Sequence, residues 1–219
     1  MKKATIAVLV SSLALGVVAA PAFAQVAGGV TTSVQVNSVL AKGWSVKRTV
    51  LGQDIHDEKG VKIGDIDDVL VDKATGHAQP LVGVGGFLGI GEHYVAIDSK
   101  ALRLVNNKLV WTGVTKDAVK AMPAIDRSKL PAGVVSLKKS VLGSSVHNAA
   151  KETVGKIEDV IIAPDGSASF AILSAGSYLA MDKHDVAIPI SQFKMDGDFQ
   201  LPNATKDMLR ALPPFVYAH

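Results

Sequence analysis

Four carboxylates crowd one short stretch of the chain: Asp65, Asp67, Asp68 and Asp72. Oxygen ligands at this density suit calcium, but an EF-hand loop needs a glycine at its sixth position and a glutamate at its twelfth, and neither is present. On a strand, successive side chains face opposite ways, so the four cannot converge on one ion. They read as a solvated strand face. Asp68 stands apart because Asp159 repeats it. Strand parity puts Asp68 on the face of Ile66 and Leu70 unless a bulge intervenes. A carboxylate on that face needs hydrogen bonds, most readily from the N–H groups of a turn. Asp68 and Asp159 are therefore expected to be structural, each tying down a turn in its own half of the chain.

Other chemistry-bearing residues are sparser. His56 and His147 are read as a repeated pair, with His77, His93, His184 and His219 outside it. No H-x-x-x-H or H-E-x-x-H spacing occurs, so a metal would require His56 and His147 to meet across the two halves. The loop Gly85-Gly86-Phe87-Leu88-Gly89-Ile90-Gly91 could bring backbone N–H groups to a phosphate. It lacks the spacing of a dinucleotide fingerprint, and no Lys-Ser or Lys-Thr follows as in a P-loop. It reads as a strand connection that presents Phe87, Leu88 and Ile90 to a partner. Ser145 and His147 share a strand face, but no G-x-S-x-G elbow and no cysteine occur. No catalytic residue, cofactor or metal ligand is assigned, and the chain is not expected to be an enzyme.

The elements that hold these residues are written twice. Thr49–Val71 and Ser140–Ile162 align without a gap at an offset of 91, pairing Gly52 with Gly143, Gly64 with Gly155, Ile66 with Ile157 and Asp68 with Asp159. Thr115-Lys116-Asp117 matches Thr205-Lys206-Asp207 at an offset of 90. The period is far longer than the roughly 20–50 residues of a solenoid unit, so a domain is repeated. The invariant glycines and Asp68/Asp159 are structural candidates.

Within the first copy, β-branched runs alternate with turn residues. Strands are expected at 50–56, 62–72, 78–84, 94–98 and 108–111. Thr115 then caps a short helix that Pro123 stops, as Thr205 and Pro213-Pro214 do in the second copy. The predicted fold is mainly β: two tandem small β-barrels, each followed by a short C-terminal helix.

The chain starts with Lys2 and Lys3, an apolar run to Ala20, and the small-residue site Ala22-Phe23-Ala24. Residues 1–24 therefore read as a secretory signal peptide cleaved before Gln25. Residues 25–43 form a leader, 44–123 the first repeat, 124–135 a linker and 136–219 the second repeat. The formal net charge of +3 includes Lys2 and Lys3, so the mature chain is close to neutral. That removes the electrostatic argument for nucleic acid. With no cysteine, stability must come from apolar cores. No later segment reaches the roughly 20 apolar residues of a membrane-spanning helix.

The motifs Gly43–Lys47 (GWSVK), Leu51–Asp72, Gly83–Ile97 and Asp185–Pro189 together resemble the PRC-barrel domain family. The resemblance covers most of the mature chain. Such domains occur in the H subunit of photosynthetic reaction centres and in the ribosome maturation factor, where they contact partner proteins and are not catalytic. The resemblance implies a protein–protein interaction or scaffold module, periplasmic or secreted, with an envelope protein as partner. The surface expected to bind it is Phe87, Leu88 and Ile90 with the C-terminal Phe215 and Tyr217. The alternative is a periplasmic small-ligand or metal-binding protein that uses the cleft between the barrels.

Overall fold

A computed structural model describes residues 24–25, 31–32, 42–85, 91, 93–106, 108–175 and 184–217. A short antiparallel pair, β1 (Ala24–Gln25) and β2 (Thr31–Thr32), precedes the main body. The first half then runs β3 (Trp44–Ser45), a helical turn over Val46–Val50, β4 (Asp54–His56), β5 (Lys62–Asp72), β6 (Ala78–Val84), β7 (His93–Ala96), β8 (Leu102–Val105), β9 (Lys108–Trp111) and helix α1 (Lys116–Lys120). The second half runs β10 (Val134–Ser136), α2 (Leu137–Ser140), β11 (Ser145–His147), β12 (Thr153–Ile162), β13 (Ala168–Ser174), β14 (Asp185–Pro189), β15 (Lys194–Asp196), β16 (Asp198–Gln200) and α3 (Lys206–Ala211). The fold is mainly β with a few short helices.

Each half builds a curled sheet of the same topology. The orders are β7-β6-β5-β4-β9-β8 and β14-β13-β12-β11-β16-β15. Among the described residues only β4–β9 and β11–β16 are parallel pairs. Both sheets have two edges among the described residues rather than a closing strand pair, so each is a half-barrel. Four of the expected elements fall where the sequence places them: β5, β6, β9 and the Thr115-capped helix. Thr115 Oγ1 accepts from Ala118 N, and Thr205 Oγ1 accepts from Met208 N. The strand expected at 50–56 is shorter. Its first residues are a helical turn, because Ser45 Oγ accepts from Arg48 N and Leu51 N reaches back to Val46 O at 2.8 Å. Gly52 then reverses the chain at φ +74°, a conformation that β-branched residues avoid.

The halves are not joined end to end; they exchange their first strands. β3 opens the first half in sequence but pairs with β12 of the second, Trp44 opposite Ile162 and Ser45 opposite Ile161. β10 opens the second half and pairs with β5 of the first, Val134 opposite Asp72 and Ser136 opposite Leu70. At the hairpin tips, Ala78 N donates to Gly166 O at 2.9 Å and Ala168 N to Gly76 O at 2.8 Å. His77 pairs with Ser167 between them. Bonds that return in reciprocal pairs imply an approximate two-fold axis relating the halves.

The core follows the same logic. One hydrophobic cluster takes in Ile55, Ile66, Val82 and Trp111 of the first half and Val146, Ile157, Leu173 and Ile188 of the second. Val46 and Leu137, carried on the exchanged segments, are buried in it. Burying one such side chain is worth about 1.5–3 kcal/mol, so each half gains an apolar residue from the other's lead-in.

Candidate functional site

The repeated carboxylates mark the joints between the halves. Asp159 is fully buried. It accepts from Lys47 N at 2.9 Å, Val160 N at 2.7 Å and Tyr217 Oη at 2.8 Å, and from Ser45 Oγ. Asp68, 2% exposed, accepts from Ser136 Oγ at 2.5 Å, Lys138 N at 3.0 Å and Val69 N at 2.7 Å. Each carboxylate holds a turn, but the turn is the lead-in of the other half, not one in its own. Strand exchange is the reason, since it lays Ser45–Lys47 along β12 and Ser136–Lys138 along β5. The same Ser oxygens cap the helical turns, accepting from Arg48 N and Lys139 N.

A bulge decides which face these carboxylates occupy. In β5 the register slips between Ile66 and Asp68, and in β12 between Ile157 and Asp159. The extra residue turns Asp159 away from the face of Ile157, which lies in the main core, onto that of Ile161, which lies in a second cluster with Phe170, Ile172 and Ala187. Strand parity alone therefore puts Asp68 with Ile66 wrongly. The remaining acidic residues do not gather. Asp65 and Asp54 flank Lys62 at 3.0 and 2.7 Å, Asp67 pairs with Arg127 at 2.6 Å, and Asp72 accepts from the backbone of Ala74 and Thr75. These N–H bonds and the Thr75 hydroxyl hold the Asp72 carboxyl below its ordinary value.

The invariant glycines have steric causes. Gly52 and Gly143 have φ of +74° and +84°. A Cβ on Gly64 would lie 2.0 Å from Gly83 O, and one on Gly155 would lie 2.8 Å from Leu173 Cγ and Ser174 O.

Among the described residues no group of three or more His, Asp or Glu side chains could hold a metal. His147 Nδ1 lies 3.4 Å from Thr153 Oγ1. Ser145 is exposed on β11. A second histidine pair escapes the sequence reading: His93 and His184 are also 91 apart. Their Nε2 atoms sit 2.7 Å from Met122 O and 2.8 Å from Leu212 O. A carbonyl only accepts, so Nε2 carries the proton in both. Each histidine anchors the end of the helix that follows its sheet.

The glycine-loop tip, Phe87, Leu88 and Ile90, lies outside the described residues. Phe215 and Tyr217 are half-buried on the second sheet, packed against the Ile161–Phe170–Ile172–Ala187 cluster. Their engagement is internal: Phe215 N donates to Asp185 O at 2.6 Å, and the Arg48 guanidinium stacks 3.5 Å from the Tyr217 ring centre.

One surface feature went unread in the sequence. Strand β8 ends the first sheet and pairs only with β9 among the described residues, yet Leu104 is 59% and Val105 48% exposed. The adjacent apolar residues Leu104 and Val105 before the Asn106-Asn107 turn are the signal that was available. Beside it, a cleft of ≈ 240 Å³ opens between the halves. Lys100, Arg103 and Leu104 line one wall, and Trp44, Ile162 and Pro164 the other. Arg103 Nη1 is turned onto Leu102 O at 2.9 Å and Lys100 O.

No helix among the described residues is long and apolar enough to cross a membrane. A search of the curated proteins finds no match to the chain. Residues 47–117, from the helical turn through β9 to the start of α1, match the PRC-barrel domain.

Proposed function

We propose that the protein is a non-catalytic interaction module of the cell envelope, exported by cleavage after Ala24 and built from two tandem PRC-barrel repeats. The repeat reading rests on the second sheet, which has the strand order of the first and the same carboxylate joint. The interaction reading rests on β8. An open edge strand presents unpaired N–H and C=O groups to an incoming strand, and Leu104 and Val105 add apolar surface there. The glycine-loop residues Phe87, Leu88 and Ile90 belong to the connection between β6 and β7 on the same half.

The test is the native mass of the mature chain isolated gently from its own host. A chain beginning at Gln25 and bound to another protein is expected. Leu104→Asp combined with Val105→Asp should return the bare chain. A bare wild-type chain, or a complex indifferent to the double substitution, removes the edge-strand reading. The second reading is a small-ligand site in the cleft, favoured by its ≈ 240 Å³ and by Lys100 and Arg103 on its wall. A small added mass on the bare chain, lost with Lys100→Ala, would establish it.

A further inference from the structure

The outer face of the second sheet is already occupied by residues 213–217 of the same chain. After α3 the backbone is pinned where His184 Nε2 donates to Leu212 O, and Leu212 itself is buried. Pro213 and Pro214 then carry an extended strap along the edge strand β14. It makes one backbone bond to that edge, Phe215 N to Asp185 O. Phe215 and Tyr217 meet edge to face at 4.7 Å and cover Ile161, Phe170, Ile172 and Ala187. The Tyr217 hydroxyl reaches Asp159, and Arg48 closes over its ring.

The groove beneath is assembled from both halves. Arg48 comes from the exchanged lead-in, and the apolar floor and Asp159 come from the second sheet. It has the parts of a strand-addition peptide site: a sheet edge for main-chain bonds, an apolar floor, and a polar end that selects a hydroxyl. In the first half the corresponding cover is an internal segment, tied at both ends. There Ile125 N donates to Tyr94 O at 2.8 Å, and Arg127 pairs with Asp67 and stacks on Tyr94 at 4.4 Å.

We propose that this groove is a peptide-binding site for an extended segment of the form aromatic-x-tyrosine, and that the C-terminal strap fills it in cis. The partner is an extended peptide whose aromatic residue takes the place of Phe215 and whose tyrosine, two residues on, reaches Asp159. The inference goes beyond the edge-strand reading, because the groove lies on the second sheet and β8 ends the first.

The test uses a fluorescent peptide of residues 213–217, Pro-Pro-Phe-Val-Tyr, and a chain ending at Leu212. Saturable binding to the shortened chain is expected, with at least about tenfold weaker binding to the full chain. A peptide ending in phenylalanine in place of tyrosine should bind about tenfold more weakly, the loss of one hydrogen bond to a carboxylate. A shortened chain that melts cooperatively and does not bind overturns the proposal, as does equal binding by the two chains. Where the shortened chain does not fold, a protease site placed between Leu212 and Pro213 is cut after folding. Displacement of the cut strap by excess peptide supports the groove, and a cut strap that leaves without being replaced by peptide overturns it. Because β8 is intact throughout, failure here leaves the edge-strand reading standing, and loss of native partner on Leu104→Asp leaves the groove standing.

Discussion

The two halves use the same carboxylate joint with different numbers of donors. Asp68 receives three hydrogen bonds, from Ser136, Lys138 and Val69. Asp159 receives four, the extra one from Tyr217. The chain offers Arg127 at the matching place of the first half, and a guanidinium selects the neighbouring Asp67 instead. One joint is thus covered by the segment of Ile125 and Arg127 with a half-buried ion pair, the other by the 213–217 strap and a hydroxyl. The comparison teaches that the joint itself needs only the Ser hydroxyl and the lead-in N–H groups. What covers it is free to vary, and that is where the halves can differ in function.

The sharpest way to break the comparison is to remove the carboxylates. Asp159→Ala strands a buried serine hydroxyl, two backbone N–H groups and a tyrosine hydroxyl. Each unsatisfied donor costs about 1–3 kcal/mol, so a loss of about 3 kcal/mol or more is expected. In a chain of this size that lowers Tm by roughly 2–4 °C per kcal/mol. Asp68→Ala strands one donor fewer and should lower Tm less. Because the carboxylates hold the exchanged strands, both variants should destabilise both halves together in one calorimetric transition. Two separated transitions in either variant would show that the exchange does not couple them.

The glycines divide the halves next. Gly64→Ala drives a methyl into backbone, Gly83 O at 2.0 Å, and the β5–β6 ladder must move. Gly155→Ala meets the Leu173 side chain and the backbone oxygen of Ser174, both at 2.8 Å, a shallower overlap than at Gly64. Overpacking of this kind costs about 1–3 kcal/mol, with Gly64→Ala at the upper end and Gly155→Ala below it. Equal midpoints in denaturant would mean that the deeper clash at Gly83 is relieved as easily as the shallower one at Leu173 and Ser174.

These contrasts also mark how much could be read from the chain. The repeat, the long central strands, the Thr-capped helices and the invariant glycines follow from spacing, because turn sterics and strand period act locally. The reach of Asp68 did not. Its partners Ser136 and Lys138 lie in the segment read as the start of the second repeat, and local parity carries no information about strand exchange. The bulges at Asp67 and Glu158 leave no mark in the hydrophobic pattern either, since the apolar residues on both sides are buried. Ser45 and Ser136 were legible in principle, as residues 91 apart in front of a helical turn. So were His93 and His184. The aromatic C-terminus misled the reading because exposed and strap-like tails have the same composition.

Tyr217 gives an intermediate effect that can be sharpened by pH. Burial first, and then the negative charge and hydrogen bond of Asp159, raise its phenol above the ordinary tyrosine value, with Arg48 opposing. The folded state therefore prefers the neutral phenol, whereas an unfolded tyrosine ionises near pH ~10. The contribution of the strap is complete below that pH and is lost as pH rises above it. Tyr217→Phe should cost about 1.5 kcal/mol near neutrality, the usual worth of a hydrogen bond to a charged group, and should flatten the alkaline limb of the Tm profile. Unfolding that steepens identically above pH ~10 in wild type and variant would assign the limb to another group.

The smallest contrast lies at the solvent edge of the two β-hairpins. Lys62 bridges Asp54 and Asp65 in the first half, and the side-chain bonds to those carboxylates, Asp54 first, raise its ammonium pKa. The corresponding residues of the second half, Thr153, Ser145 and Lys156, cannot form that triad. Lys62 and both carboxylates are about half exposed, so water and salt screen the pairs and two long side chains must be ordered to make them. Lys62→Ala should therefore cost under about 1 kcal/mol, and the difference from wild type should vanish in molar salt. A larger loss that persists in salt would mean that the aliphatic stem of Lys62 holds the hairpin by packing and not by charge. The Thr153 hairpin would then be the weaker of the two for lack of a stem, and Thr153→Lys with Ser145→Asp should raise Tm even at high salt.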